Sequence, residues 1–212
     1  MKTFKIHLIR HGITRGNLEG QYLGCRTDLP LCEEGRQQLE ELRSKFAYPQ
    51  PATVFTSPLK RATETADILF PSVSHKLVIE QLKEADFGIY DGRSMKELMK
   101  DPDFVRWMDP TSGFVPEGAE PPADFHRRCS GTLMKLFEYM MKAGIEEAAC
   151  VTHGGVLMSM MAQKALPAHR PEEWMADPGC GYTIQMDAAM WMRDGLAEAV
   201  EVLPLGYLDD QE

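Results

Sequence analysis

Leu8-Ile9-Arg10-His11-Gly12-Ile13-Thr14-Arg15-Gly16-Asn17 is the stretch whose reading decides the fold. The apolar run from Ile6 to Ile9, broken by His7, ends abruptly in a cationic pair followed by glycine. An apolar strand that stops this way reads as a buried strand delivering side chains to its carboxyl end, where open α/β sheets place their sites. Arg offers a rigid fork to phosphate or carboxylate, and His serves as nucleophile or acid/base near neutral pH. Gly12 is expected to let the backbone turn sharply beside a ligand. Arg-His-Gly alone also occurs by chance on ordinary loops. Its weight depends on whether other cations converge on it.

Working outward, the 212 residues are 43% hydrophobic and 26% charged, the profile of a globular chain that can bury a good core. Lys and Arg total 23 against 32 Asp and Glu, a formal charge of -9. That balance argues against nucleic acid or an anionic membrane as partner and makes any local cluster of cations informative. The five cysteines, Cys25, Cys32, Cys129, Cys150 and Cys180, form no C-x-x-C pair and suggest neither a disulfide framework nor a zinc site. Reduced thiols in a cytoplasmic protein fit best. The apolar residues before Arg10 are too few for a signal sequence, and no apolar run approaches the ~18 residues that would span a bilayer. The 14 methionines read as core and helix-face filler.

Strand patterns occur at Phe4 to Ile9, Thr53 to Thr56, Leu77 to Ile79 and Glu147 to Thr152, with Tyr182 to Met186 and Leu196 to Leu203 as closing strands expected at a sheet edge. Helical patterns cover Leu31 to Phe46, Leu59 to Leu69, Ala123 to Lys142 and Gly154 to Ala165, with shorter pieces at Met95 to Met99 and Phe104 to Met108. Gly12 to Pro30, Leu82 to Asp91 and Pro167 to Gly181 read as irregular. Asp109 to Pro122, with four Pro and two Gly, reads as a surface loop or lid. Strands alternating with helices imply an α/β protein with a mostly parallel, helix-covered sheet.

Two other strand ends resemble the first. Thr53 to Thr56 runs into Ser57-Pro58-Leu59-Lys60-Arg61, with Arg61 in the first turn of a helix, where a cation opposes the macrodipole unless it shares an anion. The bland alternative, an exposed Arg61 paired with Glu64, is equally compatible locally. Val151-Thr152 runs into His153-Gly154-Gly155. If the three ends share one edge, Arg10, Arg61 and His153 together with helix N-termini describe a pocket for a dianionic phosphoryl group. Phosphoryl transfer then needs an in-line nucleophile, which neutral His11 can supply, and a general acid. Glu84, in the non-helical run Leu82-Lys83-Glu84-Ala85-Asp86-Phe87-Gly88, suits that role, because a neighbouring dianion would raise its pKa.

The ordered set resembles the histidine phosphatase superfamily, in the branch of the cofactor-dependent phosphoglycerate mutases. It comprises Leu8 to Gly12 with Thr14 and Asn17; Gly24 and Thr27 to Leu31; Glu34-Gly35; Thr56 to Ala62 with Thr65-Ala66; Glu84, Phe87-Gly88 and Asp91-Gly92; Gly118, Glu120, Phe125 and Arg128; and Val151 to Gly155. The resemblance implies a three-layer α/β/α sandwich forming a single domain over 1–207, with a lid-like insertion at about 85–122 and a flexible tail at 208–212. It makes His11 the phosphoryl acceptor and Glu84 the proton donor. It places Arg10, Arg61, His153, Asn17, Thr14 and Gly154 around the phosphate, with no metal and no organic cofactor. Ile13, Gly16, Gln21 and Leu23 depart from the family pattern at the pocket rim. Cys32 replaces the usual Thr or Ser at a helix start, which weakens that cap. Ala119 and Pro121 alter the usual Gly-Glu-Ser.

The expected activity is hydrolysis of small phosphomonoesters through a phosphohistidine on His11. From Ala85 to Asp124 four basic residues face nine acids, which suits a small monophosphate better than a bisphosphate. The alternatives are an α-ribazole phosphatase, which Gly16 to Glu19 with Gly24 and Thr27-Asp28 resembles, a phosphoglycerate mutase, and a non-catalytic phosphate-binding module. A metal-dependent phosphatase is disfavoured because His7, His75, His126 and His169 show no ligand spacing. Beyond a small phosphorylated substrate, a homodimer is left open.

Overall fold

The fold is described from a computed structural model covering residues 2–109 and 111–207. The tail expected at 208–212 lies outside the described residues. In chain order the elements are β1 (Thr3–Arg10), α1 (Arg15–Leu18), α2 (Glu33–Lys45), β2 (Thr53–Thr56), α3 (Lys60–Leu69), β3 (His75–Val78), α4 (Met95–Leu98), α5 (Pro102–Met108), α6 (Pro122–Ala143), β4 (Glu147–Thr152), α7 (Gly154–Lys164), β5 (Ala165–Leu166), β6 (Gly181–Asp187), α8 (Ala188–Asp194) and β7 (Ala197–Leu203).

Among the described residues seven strands form one sheet in the order β3-β2-β4-β1-β6-β7-β5. β3, β2, β4 and β1 are mutually parallel, and β6 runs antiparallel to both β1 and β7. The opening strand is therefore central and buried on both faces, which is why it reads as an apolar run. Alternate residues of the sheet feed two cores. Ile6, Leu8, Phe55 and Cys150 pack with α6 and α7, while Ile9, Val54, Ala149 and Val151 pack with α2 and α3. That is the expected three-layer α/β/α arrangement. α6 shows how the sequence writes a layer: Phe125, Cys129, Leu133, Leu136, Phe137 and Met140 recur at helical spacing and are buried. Each such side chain favours the fold by about 1.5–3 kcal/mol on burial. Pro122 opens α6, and Gly144, at φ 71, closes it in the left-handed conformation.

The register decides the functional geometry. Arg10 of β1 lies opposite Thr152 of β4, and Thr56 of β2 lies opposite Val151. The three strands therefore end at one edge, as the convergence argument requires. β6 starts there too, with Gly181 opposite Ile9.

Several expectations are corrected. β6 is interior rather than at a sheet edge, because it pairs with β1 on one side and β7 on the other; at Gly181 its backbone lies so close to the Leu8 carbonyl that no Cβ fits. The edge belongs to Ala165–Leu166, the first residue of which the periodicity assigns to the preceding helix. The loop from Gly12 contains α1, capped reciprocally by Thr14 and Asn17. α8, unread in the sequence, is signalled by the Asp187 cap and by Gly195 at φ 62. Cys32 stands at the N-cap of α2 without a side-chain cap bond, as its chemistry predicts. The insertion carries the two short helices expected in it, α4 and α5, and adds a core that the sequence did not show. Tyr90, Leu98 and Phe104 form a small core of their own, with Tyr22, Met95 and Trp107 packed on it.

Candidate active site

His11 sits directly beyond β1 and is 6% exposed. Its Nδ1 lies 2.7 Å from the Gly12 carbonyl oxygen. A carbonyl only accepts, so Nδ1 carries the proton and Nε2 keeps its lone pair. No protein group among the described residues bonds Nε2, and His11 lines a cavity of about 400 Å³. Burial, then the nearby Arg61 charge, lowers the His11 pKa to about 3, so the ring is neutral at physiological pH. Gly12 gives close packing rather than a left-handed turn. Its φ is not positive, and a Cβ there would stand 2.7 Å from Leu39 Cδ1 of α2. Its N–H donates to Thr65 Oγ1 at 2.9 Å, and that hydroxyl donates to the Arg61 carbonyl at 2.6 Å.

Arg10 lines the same cavity. One Nη donates to the Ala176 carbonyl at 2.8 Å, while Nε is buried without a hydrogen-bond partner. An unpaired buried guanidinium N–H is costly and marks a place for an anion. Glu84, 7% exposed, faces the cavity on the opposing segment. Its two oxygens accept the N–H groups of Ala85 and Gly155, both at 2.9 Å. Burial nonetheless raises its pKa, against the pull of those two bonds and of Arg61 and Arg128. A carboxyl held this way can carry a proton at higher pH than an ordinary glutamate.

Arg61 and His153 lie beneath His11 rather than on the cavity wall; both are fully buried. Arg61 donates from Nε to His153 Nδ1 at 3.2 Å, from Nη1 to the Thr27 carbonyl at 2.7 Å and from Nη2 to the Gly24 carbonyl at 3.0 Å. The expected alternative partner, Glu64, is bonded instead to Arg36 and to the Leu31 N–H. Because His153 Nδ1 accepts from Arg61, its Nε2–H donates to Ser57 Oγ, 2.7 Å away. Burial and the Arg61 charge hold the His153 pKa well below its ordinary value, and its ring meets His11 edge-on at 5.1 Å. Thr14 is off the wall as well. Its hydroxyl donates to Asn17 Oδ1 at 2.9 Å, which orients Asn17 on the cavity rim. Gly154, at the start of α7, lines the cavity.

Of the residues expected from sequence, the structure thus brings Arg10, His11, Asn17, Glu84 and Gly154 to one cavity. It sets Arg61, His153 and Thr14 behind it. Sequence reasoning missed the Ser57 contact and the cavity's apolar wall of Tyr22, Phe87, Trp107, Met158 and Met175. Its signal was present: Tyr22, Phe87 and Trp107 are aromatics on short or irregular segments, where no core periodicity explains them.

The profile of the histidine phosphatase superfamily (branch 1) matches residues 6–196. The chain belongs to that superfamily. It is 27% identical over 187 residues to adenosylcobalamin/alpha-ribazole phosphatase of Escherichia coli (strain K12), covering 86% of this chain and 90% of that one. Among solved structures, the alpha-ribazole phosphatase of Shigella flexneri is 26% identical with a TM-score of 0.76, covering 95% of this chain and 96% of that chain. A phosphoglycerate mutase from Bacillus anthracis, 21% identical with a TM-score of 0.73 and coverage of 100% and 98%, shares the fold.

The remaining histidines are occupied elsewhere. His7 bonds Thr183 and Glu147, His75 bonds Thr53, His126 bonds Ser159, and His169 lies 3.9 Å from Glu173 and edge-on to Trp174. Among the described residues no group of three His, Cys, Asp or Glu side chains could hold a metal ion. Among them, too, no helix is long and apolar enough to cross a membrane.

Proposed function

We propose that this histidine phosphatase hydrolyses small phosphomonoesters through a phosphohistidine on His11. The observation that carries the reading is the His11 imidazole: Nδ1–H is tied to the Gly12 carbonyl, and the free Nε2 faces a cavity shared with Arg10 and Glu84. In the first step Nε2 attacks phosphorus and the P–O bond to the alcohol breaks. The protonated Glu84 gives its proton to the departing oxygen. In the second step the Glu84 carboxylate takes a proton from water, the water oxygen bonds to phosphorus, and the P–N bond returns its electrons to His11. The unpartnered Arg10 Nε–H, Asn17 and the α7 N-terminus at Gly154 hold the phosphoryl oxygens. Arg61 and His153 act from beneath as positioning residues. They fix the loop 24–27, and the Arg61 charge adds to burial in keeping His11 neutral.

Arg10 is the one cation on the described cavity wall, which favours a hydrolase over a mutase that must hold a phosphorylated acid. Dephosphorylation of α-ribazole phosphate is supported by the relatives' names alone. Five free thiols fit a reducing compartment such as the cytoplasm. The test is turnover of 4-nitrophenyl phosphate and a metabolite panel by parent and His11→Ala, with quenching into alkaline detergent at short times. Base-stable, acid-labile phosphoprotein in the parent and none in the variant is expected. Undiminished turnover by His11→Ala would overturn the mechanism.

A further inference from the structure

The phosphoryl chemistry occupies one end of the cavity. The other end has a different character. Tyr22 and Phe87 stack at 4.0 Å and 14° between ring planes, and Trp107 meets them edge-on at 6.0 and 5.8 Å. This wall is braced from behind, because Trp107 also stacks on Tyr90 at 5.7 Å and meets Phe104 at 5.9 Å. It is therefore prebuilt, and a ligand need not order it. Phe125 and the polarisable thioethers of Met158 and Met175 complete the lining.

The charges at this end matter as much as the rings. Arg10 belongs to the phosphate end. Glu120 is on the wall, but both its oxygens are held by Arg128, at 2.8 and 2.7 Å, so the pair leaves no cation free for a ligand. Asn17 and Gln21 are neutral. A second anionic group on the substrate would meet Glu120 with no free cation to pair with. The volume of about 400 Å³ exceeds what a phosphoryl group alone fills and leaves room for a small ring system.

We infer that the Tyr22–Phe87–Trp107 wall receives a flat, uncharged aromatic group on the leaving alcohol, and that this chamber sets the enzyme's preference. The inference rests on the phosphomonoesterase reading and specifies its substrate class. A ring stacked there withdraws apolar surface from water and gains edge and face contacts. An ester of glycerate carries a carboxylate into the same space and gains nothing.

The test compares 2-phenylethyl phosphate, ethyl phosphate and 3-phosphoglycerate with the full-length protein. The first two have alkoxide leaving groups of similar basicity, so their difference reports binding rather than bond strength. The expected result is a kcat/KM about 10- to 100-fold higher for the phenylethyl ester than for the ethyl ester, carried by KM. 3-Phosphoglycerate is expected below both. Trp107→Ala should shrink the phenylethyl-to-ethyl ratio about tenfold, and Trp107→Phe should restore most of it. If Trp107→Ala does not fold, Met175→Ala, at an exposed rim position, should lower the same ratio.

Equal kcat/KM for the three esters, a preference for 3-phosphoglycerate, or a ratio unmoved in these variants would overturn the inference while the phosphatase reading stands. Failure to hydrolyse any ester, 4-nitrophenyl phosphate included, overturns the phosphatase reading instead. Calorimetric binding of phenylethyl and ethyl phosphate to the His11→Ala variant then still decides the inference: the same preference supports it and equal affinities refute it.

Discussion

Glu84→Gln separates the acid from the rest of the site. The carboxylate accepts two backbone N–H groups, from Ala85 and Gly155, each at 2.9 Å. Glutamine keeps one acceptor and sets an NH2 against the other N–H. One bond is lost, at about 1–3 kcal/mol, partly offset because a neutral amide escapes the penalty of burying a charge. The fold should therefore survive. Catalysis should not. General acid help is worth about 10²–10⁴ in rate, and 2-phenylethyl phosphate, which leaves as a strongly basic alkoxide, should lose about that much. 4-Nitrophenyl phosphate needs little proton donation, so its first step should be spared while hydrolysis of the phosphoenzyme slows. Stopped-flow absorbance should then show a burst of nitrophenol stoichiometric with enzyme. The pH profile carries the same signature. Burial raises the Glu84 pKa, so the parent loses activity as pH rises through that value, and the variant should lack this limb. His11, with its pKa lowered to about 3, adds no acid limb in the working range. Equal losses on both esters, no burst, and an intact alkaline limb would refute the assignment of Glu84.

Three further outcomes follow from the same geometry. A Cβ on Gly155 would stand 2.5 Å from Glu84 Oε1 and 3.1 Å from its Cδ, so Gly155→Ala must displace the carboxyl. A displacement near 1 Å should reduce kcat on the phenylethyl ester by about 10²-fold, and a kcat within error of the parent in a folded variant would contradict this. Asp91 accepts from Thr27 Oγ1 at 2.6 Å, Arg26 N–H at 3.0 Å and Gly24 N–H at 3.2 Å, and thereby holds the two carbonyls that receive Arg61. Asp91→Ala should destabilise by about 1–3 kcal/mol in urea titration and raise KM; unchanged midpoint and KM would show that the loop 24–27 is held by other means. Finally, His11 and His153 are both held below the ordinary value of 6.5 in the fold. Their contribution to stability is present above that value and drains as pH falls toward their folded values, by about 1.4 kcal/mol per pH unit for each imidazole. Glu84 acts in the opposite sense, contributing below its ordinary 4.5 and losing that contribution as pH rises through its raised value. Urea stability should therefore fall between about pH 6.5 and about pH 5, and a flat profile there would contradict the buried neutral pair.

The sequence by itself determined the fold class and the family. β1 is central, so both its faces are apolar and its carboxyl end is polar, and a linear string records that as Ile6 to Ile9 followed by Arg10-His11. The same logic marked β2 and β4, and an ordered set of motifs marked the family. Register, however, is not written in any single strand. Only pairing puts Arg10, Ser57 and His153 at one edge, and only it carries Gly181 into the interior beside Leu8. Which cations face the cavity was likewise decided in three dimensions. Arg61 and His153 share one hydrogen bond 92 residues apart in sequence and are fully buried, whereas Arg10 lines the cavity and keeps one buried N–H without a partner. The aromatic chamber was the least legible, because Tyr22, Phe87 and Trp107 come from three separate segments. No periodicity relates them, and they meet only where the insertion pairs with the loop after β1.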